Sequence, residues 1–189
     1  MADGNIFFDF SRLKYLGENV IIGKTVRIRY PELVYIGDNC IIDDFTYIST
    51  ALELKGYVHI SAGCKLIGGC KSKVSMDFFS TFSPNVVVAA GSDDYTGGIA
   101  TPLVGEEFKG NVEYGEVAIG KHCIIGSGSV ILPNVNIGDG ASVGALSLVN
   151  KNLDPWILYA GIPVRKLKER MKDETIALEK KIFEQLKNG

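Results

Sequence analysis

Aliphatic residues return at every sixth position over most of this chain. In the second half, the repeating positions are Ile119, Ile125, Ile131, Ile137, Val143 and Val149. In the first half, they are Ile36, Ile42, Ile48, Leu54, Ile60 and Leu66. Shorter runs lie at Leu16, Ile22 and Ile28, and at Met76, Phe82 and Val88. Together these runs make about eighteen hexads, which is enough for roughly six three-sided coils.

The residues between these aliphatic positions favour strands over a helix. Four places after each aliphatic residue stands a small or compact one, such as Cys123, Ser129 or Ala141, which suits a tight inward corner. Glycine follows the aliphatic residue repeatedly, as in Ile119-Gly120 and Ile137-Gly138, and would weaken a helix at each occurrence. The pattern therefore predicts an all-β parallel β-helix, in which each coil buries its aliphatic residues against the next.

Composition and charge agree with one soluble domain. The chain has 189 residues, is 46% hydrophobic and carries a net charge of −2, so nothing indicates a nucleic-acid partner. The N-terminus, Met-Ala-Asp-Gly-Asn, lacks the basic segment of a signal peptide, and no apolar run approaches a membrane span. We therefore expect a cytoplasmic protein.

The four cysteines follow the repeat instead of a metal-binding spacing. Cys40, Cys64, Cys70 and Cys123 all occupy the small inward slot of a hexad, and no C-x-x-C pair occurs. We expect all four to be buried core residues and expect no metal site.

The longest interruption of the repeat runs from residue 90 to residue 116. A segment of this length on a rigid solenoid is typical of a lid or a binding loop. Four extra residues around Lys71-Ser72-Lys73 predict a smaller bulged corner. We divide the chain into a β-helix domain, 1–153, which includes the extruded loop 90–116, and a C-terminal tail and helix, 154–189.

After the repeats, the sequence Ala-Gly-Ile-Pro-Val-Arg at 160–165 completes a resemblance to a known family. Repeats, extruded loop and this ending resemble the hexapeptide-repeat acyltransferases, with a layout close to that of galactoside and maltose O-acetyltransferases and of sugar acetyltransferases of polysaccharide biosynthesis. The resemblance implies a left-handed β-helix, a homotrimer, and acetyl-CoA bound in the cleft between neighbouring prisms.

The resemblance also assigns residues to CoA. Ser127 and Ala145 match positions that line the pantetheine arm, and Asn150 and Lys151 match a pair near the nucleotide. Arg165 and Lys168 match basic residues that face the CoA phosphates, a role suited to cations. The alternative for these two is that they begin a solvated C-terminal helix spanning 163–186. That helix would pack on the prism or on a neighbour through the stripe Leu167, Met171, Leu178, Ile182 and Leu186.

The general base departs from the family pattern. Those O-acetyltransferases place a histidine in the extruded loop, and the matching position here is Asp93, beside Asp94. Three interpretations remain open: an aspartate with a raised pKa, a substitute histidine, or an amine acceptor that needs less help. His59, on an outward position, is the candidate substitute, whereas His122 is expected to be a solvated turn residue. Both aspartates could also simply form an Asx turn.

The sequence thus predicts a CoA-dependent acyltransferase for a sugar hydroxyl or amine, including nucleotide sugars and surface polysaccharide precursors. One alternative is a non-catalytic β-solenoid used for binding or assembly. A γ-carbonic-anhydrase-like metalloenzyme is disfavoured, because its zinc needs three histidines and the chain has two.

Overall fold

Short strands, each pairing an outward residue with an inward aliphatic one, recur along the chain and stack in parallel. The computed structural model describes residues 5–188. In chain order the strands are β1 (Tyr15–Leu16), β2 (Ile21–Ile22), β3 (Arg27–Ile28), β4 (Val34–Asp38), β5 (Ile41–Ile42), β6 (Tyr47–Gly56), β7 (His59–Ile60), β8 (Lys65–Met76), β9 (Thr81–Phe82), β10 (Val87–Ala89), β11 (Gly91–Ser92), β12 (Glu113–Tyr114), β13 (Glu116–Ile119), β14 (Ile124–Ile125), β15 (Val130–Ile131), β16 (Asn136–Ile137), β17 (Ser142–Val143), β18 (Leu148–Val149), β19 (Ile157–Ala160) and β20 (Arg165–Glu169). Three short 3-10 helices span Phe10–Arg12, Pro31–Leu33 and Glu106–Phe108, and the α-helix α1 spans Lys172–Asn188.

The strands form the three faces of a prism. Face I consists of β2, β5, β7, β9, β14, β17 and β19. Face II consists of β3, the first part of β6, the first part of β8, β10, β15 and β18. Face III consists of β1, β4, the second parts of β6 and β8, β13 and β16. The parallel solenoid predicted from the hexads is confirmed.

The number of coils is about seven, one more than the six predicted. The extra coil ends in β19, whose inward residue is Tyr159, stacked on Val143 of β17. Tyr159 is aromatic and does not lie a multiple of six residues after Val149. The hexad pattern in the sequence therefore ends at Val149. Chain beyond residue 153 therefore still contributes a strand to face I.

The core is a stack of columns, one inward residue per strand. On face I the column consists of Ile22, Ile42, Ile60, Phe82, Ile125, Val143 and Tyr159, all buried. Each fully buried aliphatic side chain contributes roughly 1.5 to 3 kcal/mol, but only because the coils above and below cover it.

Corners between the faces turn through left-handed backbone, and asparagine supplies it at all three edges. We call the corner from face I to face II edge 1, the next edge 2 and the last edge 3. Asn85 at edge 1, Asn134 at edge 2 and Asn39 at edge 3 have φ of 62°, 59° and 57°. Asparagine tolerates this conformation better than most residues, so the corners stay tight.

The C-terminal helix begins nine residues later than predicted. Residues 165–169 form β20, antiparallel to β19, and α1 starts at Lys172. Leu167 therefore lies in a strand, and Met171, Leu178 and Leu186 are exposed on the chain. The helix instead contacts the prism through Phe183, whose ring packs edge-on against Phe79 at 5.7 Å.

The prediction of four buried cysteines is right for three. Cys40, Cys64 and Cys123 are fully buried, whereas Cys70 is exposed. Cys70 lies in the extra residues of β8, where the pairing with β6 shifts register next to Thr50. The bulge carries Cys70 out of the inward column. Within residues 5–188, no group of three side chains suited to a metal ion occurs.

Candidate active site

Edge 1 brings together two of the residues that the resemblance assigns to CoA. Ser127 follows β14 and Ala145 follows β17 one coil later, and both are exposed. The Leu146 N–H donates to the Ser127 carbonyl at 2.9 Å. Gly126 permits this approach, because a Cβ there would lie 2.4 Å from the Ala145 nitrogen. Gly126, Ser127 and Ala145 thus form a run of small residues on this edge, bordered by the exposed Leu146 side chain, and a long, thin ligand can lie against the run.

The basic strand β20 lies at the C-terminal end of the same edge. Arg165 pairs with Ala160, the residue that ends β19 at edge 1, and both Arg165 and Lys168 are exposed. The Val164 N–H donates to the Leu148 carbonyl at 2.9 Å and fixes the start of the strand. The alternative that these cations begin the C-terminal helix is therefore wrong.

Asn150 and Lys151 lie at a different edge. They follow β18 at edge 2 and are exposed. The width of face II, about 16 Å for five residues of extended chain, separates them from Ala145. One chain thus gathers Ser127, Ala145 and Arg165 along edge 1 but leaves Asn150 and Lys151 across the face.

The extruded loop leaves the prism at edge 2, where the base of the loop contacts the coil before it and the coil after it. Strands β11 and β12 pair antiparallel, with Gly91 opposite Tyr114. The Gly115 N–H points to the Ser72 hydroxyl at 3.4 Å in the coil before, and the Glu116 N–H donates to the Asn134 side chain at 3.3 Å in the coil after. The bulge in β8 and the loop are therefore stacked irregularities at one edge.

Asp94 organises the interior of the loop. Its Oδ1 accepts hydrogen bonds from the Thr96 N–H and hydroxyl, both at 2.8 Å, and from the Gly97 N–H at 3.0 Å. Its Oδ2 accepts a hydrogen bond at 2.9 Å from the N–H of Asn111, in the returning segment of the loop just before β12. These donors, the Asn111 amide first, lower the pKa of Asp94 to about 2. Asp94 therefore has the geometry of an Asx turn. Its pKa is lowered, whereas the interpretation of an aspartate as the general base needs a raised pKa.

Asp93 differs from its neighbour. Its side chain is exposed at the rim of a cavity of about 480 Å³, which residues 93–98 and Ala100 line. It follows β11 directly and so stands close to the prism wall at edge 2. Of the two predicted aspartates, Asp93 is the one available to a substrate.

Both histidines lie away from this loop. His59 is on face I, where its Nε2 is 2.8 Å from the Asp43 Oδ2, and it lines a groove of about 350 Å³ that Ile182 of α1 borders. His122 is at edge 3, with its ring stacked on Phe79 at 5.3 Å and its Nε2 3.1 Å from the Glu179 Oε2. Only 10% of the His122 side chain is exposed. The expectation of a solvated His122 is wrong, because α1 covers it.

Sequence reasoning missed one residue that the fold places beside the edge-1 row. Ser83 follows β9 on edge 1, one coil before Ser127, and its N–H donates to the Ile125 carbonyl at 2.9 Å. The signal was available, because Ser83 follows the inward Phe82 just as Gly126 follows Ile125.

Known proteins match this chain in sequence and in fold. The family described as bacterial transferase hexapeptide (six repeats) matches residues 110–151. The dTDP-4-amino-4,6-dideoxy-D-glucose acyltransferase of Escherichia coli is 35% identical over 163 residues, which are 84% of this chain and 83% of that protein. In the part of this chain that the structure describes, no helix is both long and apolar enough to cross a bilayer.

Solved structures give the same result. AntD, an N-acyltransferase from Bacillus cereus in complex with dTDP and 3-hydroxybutyryl-CoA, is 36% identical with a TM-score of 0.89, covering 97% of this chain and 99% of that one. A maltose O-acetyltransferase from Clostridium difficile 630 shares the fold at 21% identity, with a TM-score of 0.58 over 85% of this chain and 72% of that one. The expected resemblance and the expected chemistry are thereby confirmed. The chain belongs to the hexapeptide-repeat sugar acyltransferases, which use CoA thioesters as acyl donors.

Proposed function

We propose that this enzyme acylates the amine of a nucleotide-linked amino sugar, with dTDP as the nucleotide. Two relatives that match over most of their length, at 35% and 36% identity, are named for a dTDP-linked amino sugar or crystallised with dTDP. The O-acetyltransferase is similar only in fold, at 21% identity.

One observation from the chain carries the choice of an amine over a hydroxyl. The described loop holds no histidine, and the pKa of Asp94 is about 2, which makes Asp94 a poor base at neutral pH. A sugar hydroxyl needs a base as it attacks, whereas a neutral amine is already a nucleophile. The site therefore suits an acceptor that can react without a strong base.

The reaction follows from that chemistry. The amine lone pair attacks the thioester carbonyl, the C–N bond forms, and the tetrahedral intermediate collapses with loss of the CoA thiolate. The nitrogen loses one proton, which ends on the thiolate or in solvent. Asp93 accepts a hydrogen bond from the amine in this proposal and orients its lone pair.

A pair of residues in AntD supports that role. AntD was crystallised with substitutions at one serine and at one aspartate ten positions further along its chain, in complexes with CoA and either dTDP or dTDP-4-amino-4,6-dideoxyglucose. Here Ser83 and Asp93 are also ten positions apart. We infer that these two residues face the acceptor, Ser83 from edge 1 and Asp93 from the loop.

We also propose a homotrimer with active sites between subunits. Ser127 and Ala145 lie on edge 1 and Asp93 and Lys151 on edge 2, so one chain presents the two halves on opposite sides of face II. Placing edge 1 of one prism beside edge 2 of the next would complete the site, and hexapeptide-repeat proteins are generally trimeric. In this arrangement one subunit contacts CoA through its edge-1 residues Ser127 and Ala145 and through Arg165 and Lys168 of β20. The other subunit contacts CoA through Asn150 and Lys151. Light scattering tests the trimer: a mass near the 20.5 kDa of one chain, with activity retained, would refute it.

We place the reaction in the cytoplasm, since all four cysteines are free thiols, as expected of a reducing compartment.

The decisive experiment for the amine acceptor compares dTDP-4-amino-4,6-dideoxyglucose with dTDP-glucose. Release of CoA thiol from acetyl-CoA or 3-hydroxybutyryl-CoA is followed with each. We expect turnover with the amino sugar alone; equal or faster turnover with the hydroxyl compound would overturn the N-acyltransferase proposal.

A further inference from the structure

A second cavity lies at the N-terminal end of face II, far from the CoA residues. It has a volume of about 450 Å³, and its lining includes Phe7, Arg12, Arg27, Arg29 and Tyr47. Three arginines at one cavity concentrate positive charge on a chain whose net charge is −2. None of the chemistry above uses them.

The hexad register explains why two of these arginines point outward. Arg27 and Arg29 flank the inward Ile28 of β3, so both side chains leave the prism on face II and are exposed. The Arg27 guanidinium lies over the Phe7 ring at 5.8 Å and over the Tyr47 ring at 6.0 Å. Contact with two aromatic rings restricts the freedom of the Arg27 side chain and helps to hold its fork of donors in place.

The charge of these arginines is not neutralised locally. Across residues 5–188, neither Arg27 nor Arg29 forms an ion pair with a carboxylate. Arg12 faces one carboxylate, that of Asp9 in the preceding cap. Two outward guanidiniums without an acidic partner are a ready receptor for a dianionic ligand.

The position of the cavity on the prism indicates which ligand it receives. Outward residues of face II form one column in the order Arg27, Tyr47, Lys65, Val87, Val130 and Leu148. Arg27 and Val87 are three strand spacings apart, about 14 Å, and Val87 opens the strand that leads into the loop with Asp93. Arg165, the residue assigned to CoA, lies beyond Leu148 at the opposite end. A diphosphate held at Arg27 with its sugar directed along face II would bring the sugar toward Asp93, and the donor would approach from the other end.

We propose that Arg27 and Arg29 bind the diphosphate of the nucleotide-linked acceptor, with the exposed Phe7 ring available to stack on the base. This inference rests on the proposed function. Guanidinium forks match phosphate oxygens in geometry and charge, and an aromatic face accepts any base. Lys65, exposed between the cavity and Val87, adds a cation along the path of the diphosphate.

Calorimetry on the full-length protein tests the proposal with four probes: dTDP, thymidine, inorganic pyrophosphate and CoA. In Arg27→Ala and Arg29→Ala the Kd for dTDP should rise about 10-fold or more in each case, as expected for loss of charge-assisted hydrogen bonds. The Kd for CoA should not change. Thymidine should bind much more weakly than dTDP, and pyrophosphate should compete with dTDP. Lys180→Ala, which removes one exposed positive charge on α1, is the matched control and should alter neither affinity.

Two results would overturn the inference: unchanged dTDP affinity in the Arg27→Ala, Arg29→Ala double variant, or loss of CoA affinity instead of dTDP affinity. Arg27→Lys covers the case in which the alanine variants fail to fold, since it keeps the charge and loses the fork; wild-type affinity for dTDP in that variant would also count against the proposal. Failure of the proposed function is a separate outcome, seen as wild-type protein that binds dTDP through these arginines but acylates no dTDP-linked amine.

Discussion

Ser127 and Leu146 are joined by a backbone hydrogen bond of 2.9 Å between the Leu146 N–H and the Ser127 carbonyl. The bond stacks two corners of edge 1 and so sets Ala145 next to Ser127. Because the exposed side chains of Ser127 and Ala145 are small, the proposed pantetheine path along them is defined mainly by backbone. Backbone polar groups would hydrogen-bond the pantetheine arm, and the small side chains would leave room for it, so that no deep pocket is needed.

Adding volume at Ala145 should therefore block the donor without disturbing the fold. Ala145→Leu projects into solvent in the free enzyme, so we expect an unchanged melting temperature and a KM for acyl-CoA raised by about tenfold or more, because the ligand must lie further from the edge. Ala177→Leu, at an exposed position of α1, is the control for added surface hydrophobicity. Steady-state kinetics decide it, and an unaltered KM would move the CoA path off edge 1.

The sequence predicted the solenoid well because a period of six residues encodes the architecture directly. Ile42 and Ile60 fall into one column by counting three hexads, and Ile125 joins them once the two interruptions of the repeat are left out of the count. The last coil was not predicted, because its inward residue Tyr159 is aromatic and does not follow the six-residue period. The start of α1 was placed too early because residues 165–169 read as amphipathic, and only their pairing with β19 makes them a strand.

The site was harder to predict than the fold. Which corner a residue occupies follows from the register, and Ser127 and Ala145, which the resemblance assigns to CoA, lie on the same edge one coil apart. The properties of the two aspartates do not follow from register, because four donors from Thr96, Gly97 and Asn111 converge on Asp94 and none of them is a repeat residue. Contacts between the loop, the corners and α1 are long-range, and a single sequence carries no signal for them.

His122 lies between the prism and α1. Its side chain is covered on both sides, by the Phe79 ring at 5.3 Å and by Glu179 at 3.1 Å. We expect His122→Ala to lower the free energy of unfolding by about 1 to 2 kcal/mol and to speed hydrogen exchange in α1. Lys121→Ala is the control, since Lys121 meets the same Glu179 at 3.7 Å but is 42% exposed, and an exposed pair contributes less than about 1 kcal/mol. Equal effects of the two variants would show that the helix docks through charge alone.

Thiol reactivity should separate Cys70 from the other cysteines. Burial raises the pKa of Cys64 to about 11 and that of Cys123 to about 12, which leaves almost no thiolate at neutral pH. Iodoacetamide should therefore label Cys70 alone in the folded protein and all four thiols in denaturant, as mapped by mass spectrometry. Labelling of Cys123 at a rate comparable to Cys70 under native conditions would contradict the buried column.

Acid should open the extruded loop in a defined pH range. The pKa of Asp94 is lowered to about 2 in the folded protein, against an ordinary value of 3.8, so the ionised carboxylate stabilises the loop fully above pH 4. That contribution falls as the pH drops through 3.8 toward 2. Hydrogen exchange of residues 94–111, corrected for intrinsic rates, should stay slow from pH 7 to 4 and accelerate below it. Asp94→Asn should exchange rapidly already at pH 7; slow exchange in that variant would mean that the charge does not hold the loop.

Direct attack by the amine predicts only small losses of kcat when Asp93 or His59 is replaced. A general-base mechanism predicts a large loss for whichever residue is the base. If the amine attacks directly, Asp93→Asn keeps the geometry and one acceptor oxygen and should lower kcat by less than about 10²-fold, the lower end of the range for a general base. His59→Ala should leave kcat unchanged, because His59 lies on face I against Asp43 and faces neither edge 1 nor the loop. In both variants kcat/KM should rise with pH as the acceptor amine loses its proton, with the same midpoint as wild type. A loss of 10²-fold or more in Asp93→Asn, with an unchanged melting temperature and a displaced midpoint, would assign the base to Asp93; the same result in His59→Ala would assign it to the prism wall.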